Sequence, residues 1–256
     1  VARRMRGAVM ENALLRALGA TVFVLALWQG LVWVTGLPRF LLPGPGLVAQ
    51  AMWDNAELLA YHASITALEV VLGLIIGTLL GAATAIHLAS SPAARWLVQP
   101  VLVMTQALPV FALAPILTLW FGYGLGSKIV MAVLIIYFPV TSSFLDGLLR
   151  TPSGWLDMAR VMDARPGAIL WRVRVPAAIP SLASGLRLAA VYAPIGAVIG
   201  EWVGASRGLG YLMLLANGRV KTDLMFAALI VLALMTLLLH KAVGRAADHL
   251  QDRFRT

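Results

Sequence analysis

The chain has 256 residues, 61% of them hydrophobic and only 12% charged, with a mean hydropathy of +0.88. A soluble domain carries about twice that charged fraction, so the composition is that of a polytopic membrane protein rather than a water-soluble enzyme. The net charge of +9 is read as a Lys and Arg excess on the cytoplasmic side of a membrane, not as a nucleic-acid footprint, and the absence of cysteine excludes disulfides, thiolate metal sites and a cysteine nucleophile.

A basic start precedes the charge-free run 17–38, whose 22 residues can cross a bilayer. Its apolar stretch is longer than that of a cleavable signal, so an uncleaved first helix is expected. Hydropathy places spans at about 15–36, 64–88, 97–119, 128–146, 180–204 and 223–243. The third carries Pro100, Pro109 and Pro115 and ends in the FGYGLG turn at 121–126. A kinked helix followed by a short turn outside the membrane fits it better than one straight span. The fold class is therefore all-α, with about six transmembrane helices in a single domain over 1–256, its core at about 60–245.

With the N-terminus inside, fifteen Lys and Arg lie on the cytoplasmic side and five outside (Arg39, Lys128, Arg207, Arg219 and Lys221). That asymmetry puts both termini in the cytoplasm. Two spans carry glycines at every fourth position: Gly73, Gly77 and Gly81 in the second, Gly196, Gly200 and Gly204 in the fifth. Such spacing places them on one helix face, where they allow close helix packing or line a path. Glu69 and Glu201 lie near the outer ends of those spans, and Gln106 sits between the prolines of the third. Ionisable groups in spans face protein or water rather than lipid, so each acid is read as a structural hydrogen-bonding group, a substrate contact or a gate. With Tyr192, these residues are the candidate substrate path.

No lysine completes a Gly-Lys-Ser/Thr phosphate loop, so this chain is not expected to bind ATP. The four histidines, His62, His87, His240 and His249, lack metal-ligand spacing and are expected in loops or at helix ends. The sequence offers no catalytic constellation.

One segment is unlike the rest. The island DMARVMDARPGAILWRVRVPAAIP, residues 157–180, concentrates six charges threaded with apolar residues at helical spacing. It falls in a loop at 147–179 between the fourth and fifth spans. An amphipathic helix over about 156–164 is expected, with Met158, Ala159, Val161 and Met162 giving apolar contact and Asp157, Arg160, Asp163 and Arg165 directional pairing. Pro166-Gly167 breaks it, and Pro176 and Pro180 redirect the chain. A docking knob for another protein accounts for this pattern better than a merely solvated loop.

The island resembles the cytoplasmic EAA loop of the membrane subunits of bacterial ABC importers, the binding-protein-dependent permeases. That pattern is E-A-A, three residues, Gly, nine residues, then I-x-L-P; Asp157-Met158-Ala159 and Val173-Arg174-Val175-Pro176 stand at its two ends with the same spacing. Asp163 occupies the glycine position, and Pro166-Gly167 is expected to carry the turn in its place. LPRFLLPGPGLV, ALPVFALAPILTLWFGYGLGSKI, VPAAIPSLASGLRLA and GEWVGASRGLGYLM look like the nitrate/sulfonate/taurine branch, and the resemblance covers about residues 38–245.

It implies a type I importer permease fold in the bacterial inner membrane, with transport by alternating access. The implied partners are a second copy of the permease, two cytoplasmic ATPases holding the ATP and magnesium, and an extracytoplasmic solute-binding protein. ATPase coupling would then fall to Asp157, Met158, Ala159, Arg160, Met162, Asp163, Ala164, Pro166, Gly167 and Pro176. The segment GYLMLLANGRVKTDLMFAALIVLALM looks more like the pyrimidine-precursor permeases, with nitrate, sulfonate or taurine as the alternative cargo. A non-transporting scaffold or sensor is the reading that lacks support from the full permease pattern.

Overall fold

A computed structural model describes the backbone of residues 2–254 and the side chains of residues 15, 16 and 18–254. Among the described residues the regular elements are all helical: α1 (Ala2–Thr35), α2 (Pro45–Asp54), α3 (Ala56–Ser90), α4 (Pro92–Ala107), α5 (Val110–Phe121), α6 (Leu125–Leu149), α7 (Ser153–Val161), α8 (Pro166–Ile169), α9 (Val175–Gly204), α10 (Leu209–Gly218) and α11 (Thr222–Arg253). A π-helical turn, Leu170–Arg174, joins α8 to α9. Five segments are long and apolar enough to cross a membrane, and α4 with α5 makes a sixth if the bent pair counts as one span. Five of the six expected spans fall on single helices, whereas the third falls on two, and the short α2 and α10 were not anticipated. They fill the turns between spans at what we call the far end, opposite the island.

The third span is broken rather than kinked. Pro109 forces the preceding Leu108 into extended backbone (φ −80°, ψ 124°), and α4 and α5 meet at 100°. Ser91 caps α4 by accepting from the Ala94 N–H at 3.2 Å. Gly122, at φ +77°, then closes α5 inside the expected FGYGLG turn.

Both glycine ladders face the same helix, α6. A Cβ on Gly73 would lie 2.5 Å from the Ala132 Cβ, and one on Gly196 would lie 2.7 Å from the Ala132 Cα. Gly77 meets Ile136, Gly81 meets the Tyr137 carbonyl and Val140, and Gly200 meets the Lys128 backbone. Gly204 instead abuts Thr118 of α5. The missing side chains let α3 and α9 clasp α6 from two sides. Neither ladder is left free to face a second copy. Val70, Ile136, Val140 and the alanines Ala132, Ala189, Ala193 and Ala197 form the core of this layer. The first helix stands outside it, and Trp28 anchors it by donating to the Pro43 carbonyl at 3.1 Å and stacking on Phe226.

Candidate functional site

Three places gather the polar residues, and they lie at different depths. The far end holds a buried hub built from the first turns of α3, the start of α6 and the end of α9. His62, Thr66 and Glu69 recur along one face of α3, a polar stripe at helical spacing in an apolar span. Thr66 donates to Glu201 Oε1 at 2.6 Å while accepting the Leu209 N–H at 2.8 Å. His62 Nδ1 accepts the Gly208 N–H at 2.9 Å, and Glu201 Oε2 accepts the Gly210 N–H. Three successive amides at the start of α10 are thus fastened to side chains of α3 and α9. Gly208 is required here, since its φ of +107° is open only to glycine and its Cα faces the Glu201 carboxyl.

Lys128 enters the hub from α6, donating to the carbonyls of Tyr123 (2.6 Å) and Gly204. The Glu69 and Glu201 carboxyls lie beside one another and within electrostatic reach of that ammonium. Lys128, counted from the sequence as an outer-surface charge, is only 2% exposed. His62 and the half-buried His240 likewise sit within helices, not in loops or at helix ends. The α3 stripe and one lysine bounding a long charge-free run were the sequence signals for this hub. Glu201 is 1% exposed and hydrogen-bonded on both oxygens. Glu69, by contrast, keeps an unpartnered Oε2 and lines a small cavity of about 200 Å³ with Tyr123, Lys128 and Arg207.

The second place lies toward the island half of the bundle. Gln106 and Tyr192, named from the sequence, line one cavity of about 460 Å³ with Ser142, Ser143 and Phe138. The α4/α5 break opens the space on one side and α6 and α9 wall the other. Among the described residues no charged side chain lines it. Glu69 and Glu201 are not part of it, so the four path candidates divide between two sites.

The third place is the island. Its helix α7 runs over Ser153–Val161, several residues earlier than expected at both ends. It stops in a Schellman turn: the Ala164 N–H reaches the Ala159 carbonyl at 3.0 Å and the Asp163 N–H reaches that of Arg160 at 2.9 Å. Asp163 itself adopts φ +50°, the left-handed conformation that a glycine takes most easily. The turn therefore stays where the EAA pattern puts its glycine, correcting the expectation that Pro166-Gly167 had replaced it. Pro166 opens α8 instead, with its fixed φ at a first helical position.

Ala159 is the one buried residue of α7. Met158, Val161 and Met162 are 66%, 88% and 71% exposed. Asp157 and Arg160 pair at 2.7 Å on the surface. Ala164 is half-buried, whereas Asp163 and Gly167 are exposed, and Pro176 lies just past the π turn.

Residues 69–256 match the sequence family described as binding-protein-dependent transport system inner membrane component. The chain is 49% identical to a probable ABC transporter permease protein of Haemophilus influenzae, over 96% of this chain and 98% of that one. It is 39% identical to the riboflavin transport system permease protein RibX of Chloroflexus aurantiacus, covering 89% and 87% of the two chains. It is 34% identical to the formylaminopyrimidine transport permease protein ThiX of Halalkalibacterium halodurans, covering 90% and 93%. Among solved structures, an inward-facing form of the MetNI methionine ABC transporter shares the fold, with a TM-score of 0.60 at 20% identity over 78% of this chain and 97% of that one. A helical layer clasped around α6, an exposed helix–turn at one end and these matches along most of the chain lead to one assignment: the chain belongs to the binding-protein-dependent transport system inner membrane component family, as an ABC transporter permease subunit.

Proposed function

We propose that this permease forms the translocation path of an ATP-driven importer and that α7 is its contact with a separate ATPase. The carrying observation is the outer face of α7. Its Met158, Val161 and Met162 are exposed around a charged pair, on a helix whose one buried residue is Ala159. Flexible methionines beside directional charges form an adaptable docking face. ATP and magnesium belong to the partner. Because each chain supplies one island, two ATPases require two copies of the permease. A solute-binding protein delivers cargo at the far end. The Lys and Arg excess supports an orientation with the island and both termini in the cytoplasm of a bacterial cell.

Met158→Glu combined with Met162→Glu tests this reading. Permease should remain folded while ATPase subunits are lost on size-exclusion chromatography; normal association and uptake would refute it.

The cargo reading is a small, neutral nitrogen heterocycle, such as a pyrimidine precursor of thiamine. The cavity at Gln106 and Tyr192 supports it, because it offers amide, phenol and hydroxyl groups beside Phe138 but no cation among the described residues. A sulfonate or taurine would need a cation to offset its charge. The formylaminopyrimidine and riboflavin permeases among the relatives are named for heterocycles as well. Uptake of labelled hydroxymethylpyrimidine, riboflavin and taurine by the assembled transporter decides the matter. Taurine uptake without pyrimidine uptake overturns the preference.

A further inference from the structure

A groove of about 1020 Å³ runs between the end of α3, the start of α4 and the island. Its charged lining consists of three arginines, Arg95, Arg160 and Arg174, with no acidic residue among the described lining residues, although Arg160 is already paired with Asp157 at 2.7 Å beside it. The rest of its wall is largely apolar, with Leu149, Leu156 and Leu170 among the lining residues. Arg174 reaches the Ala89 carbonyl at 3.5 Å through one terminal nitrogen, while its Nε is shielded from solvent and has no hydrogen-bond partner. A buried guanidinium nitrogen without a partner carries a desolvation cost that an anion in the groove would remove.

We propose that this groove is a binding site for the headgroup of an anionic phospholipid. Three observations favour lipid over a small free anion. The volume far exceeds one phosphate and suits a phosphate with its glycerol. Arginines beside an apolar wall match a molecule that is charged at one end and greasy at the other. The depth also fits, because Trp96, Trp155 and Trp171 are all exposed at this end, the position that tryptophan takes at a membrane–water interface. Since Arg160 belongs to α7 and Arg174 to the π turn, a bound headgroup bridges α4 to the island and steadies the docking helix. The proposal does not depend on which solute is carried.

The test uses the permease with its ATPase partners in nanodiscs of phosphatidylcholine alone or mixed with phosphatidylglycerol. Native mass spectrometry of the complex released into detergent should show retained phosphatidylglycerol that high salt displaces. Arg95→Gln with Arg174→Gln should lower that retention roughly tenfold or more, from two lost lipid-facing cations. The Arg95→Lys, Arg174→Lys pair should restore much of it, which separates charge from fold. Phosphatidylglycerol-stimulated ATP hydrolysis should fall in parallel. Equal retention of phosphatidylcholine, or of phosphatidylglycerol by the glutamine variant, overturns the proposal. So does glycerol phosphate competing as well as the lipid, which would mark a free-phosphate site. Loss of the ATPase from the glutamine variant in every lipid would assign the groove to protein contact instead.

Discussion

Lys128, Glu69 and Glu201 at the far end are each no more than 2% exposed, whereas Asp157 and Arg160 of the island leave 64% of each side chain in solvent. Both ends carry opposite charges close together, but in the first group Lys128 and Glu201 are consumed by internal hydrogen bonds, while the second pairs loosely around uncovered methionines. The contrast teaches how to read charge in an apolar chain. A buried charge reports on what it holds in place, here the start of α10; an exposed charge beside apolar side chains reports on a surface awaiting a partner.

Breaking the buried hub should produce the largest effect. Lys128→Met leaves the buried Tyr123 and Gly204 carbonyls without their donor and should cost roughly 2–6 kcal/mol, about 1–3 for each, read as thermal unfolding of the purified permease in detergent. No such loss should follow from exchanging Asp157, whose charge water already solvates.

The clasp around α6 ranks next. Gly73→Leu must push α3 away from Ala132, and about 1–3 kcal/mol or more of destabilisation is expected, with helix separation visible as faster hydrogen exchange in α6. On the island, Asp163→Gly should act in the opposite direction. It relieves a left-handed conformation at a cost of about 1 kcal/mol, which should slow exchange of the Asp163 and Ala164 amides.

Val220 at the far end offers a sharper version of the same comparison. It takes φ +57° in a matching turn, with the Lys221 N–H on the Ala216 carbonyl, and its branched side chain makes that conformation harder to hold. Val220→Gly should therefore stabilise by more than Asp163→Gly under the same assay. The smallest effect belongs to Arg187 and Asp248, which pair at 2.5 Å between α9 and α11 with the carboxylate largely exposed. Arg187→Ala should cost about 0.2–1 kcal/mol, and added salt should erase the difference.

The spans, the proline break and the island could be read from the sequence because each is a local pattern in composition, period or spacing. The depth of Lys128 could not, since its burial is created by carbonyls of Tyr123 and Gly204, the second lying 76 positions away. The ladders announced close packing, but four-residue spacing specifies a face and not the neighbour. That both converge on Ala132 depends on the order of helices in space. Gln106 and Tyr192 were named separately for their polarity in apolar spans; only the α4/α5 break brings them to one cavity. Asp163 misled for another reason. Aspartate tolerates left-handed backbone well enough for the motif's turn to survive without its glycine.

The helical run that leaves the island has a mechanical consequence. From Pro166 through the π turn to Gly204, 39 residues form one continuous rod, roughly 58 Å long at the usual rise per residue. One end projects beside α7, and the other carries Glu201, which grips α10. The rod's fulcrum is the glycine face on α6. A tilt imposed at Pro166, to the extent that Pro176, Pro180, Pro194 and the π turn do not absorb it as bending, would reach the opposite end of the molecule with its direction reversed.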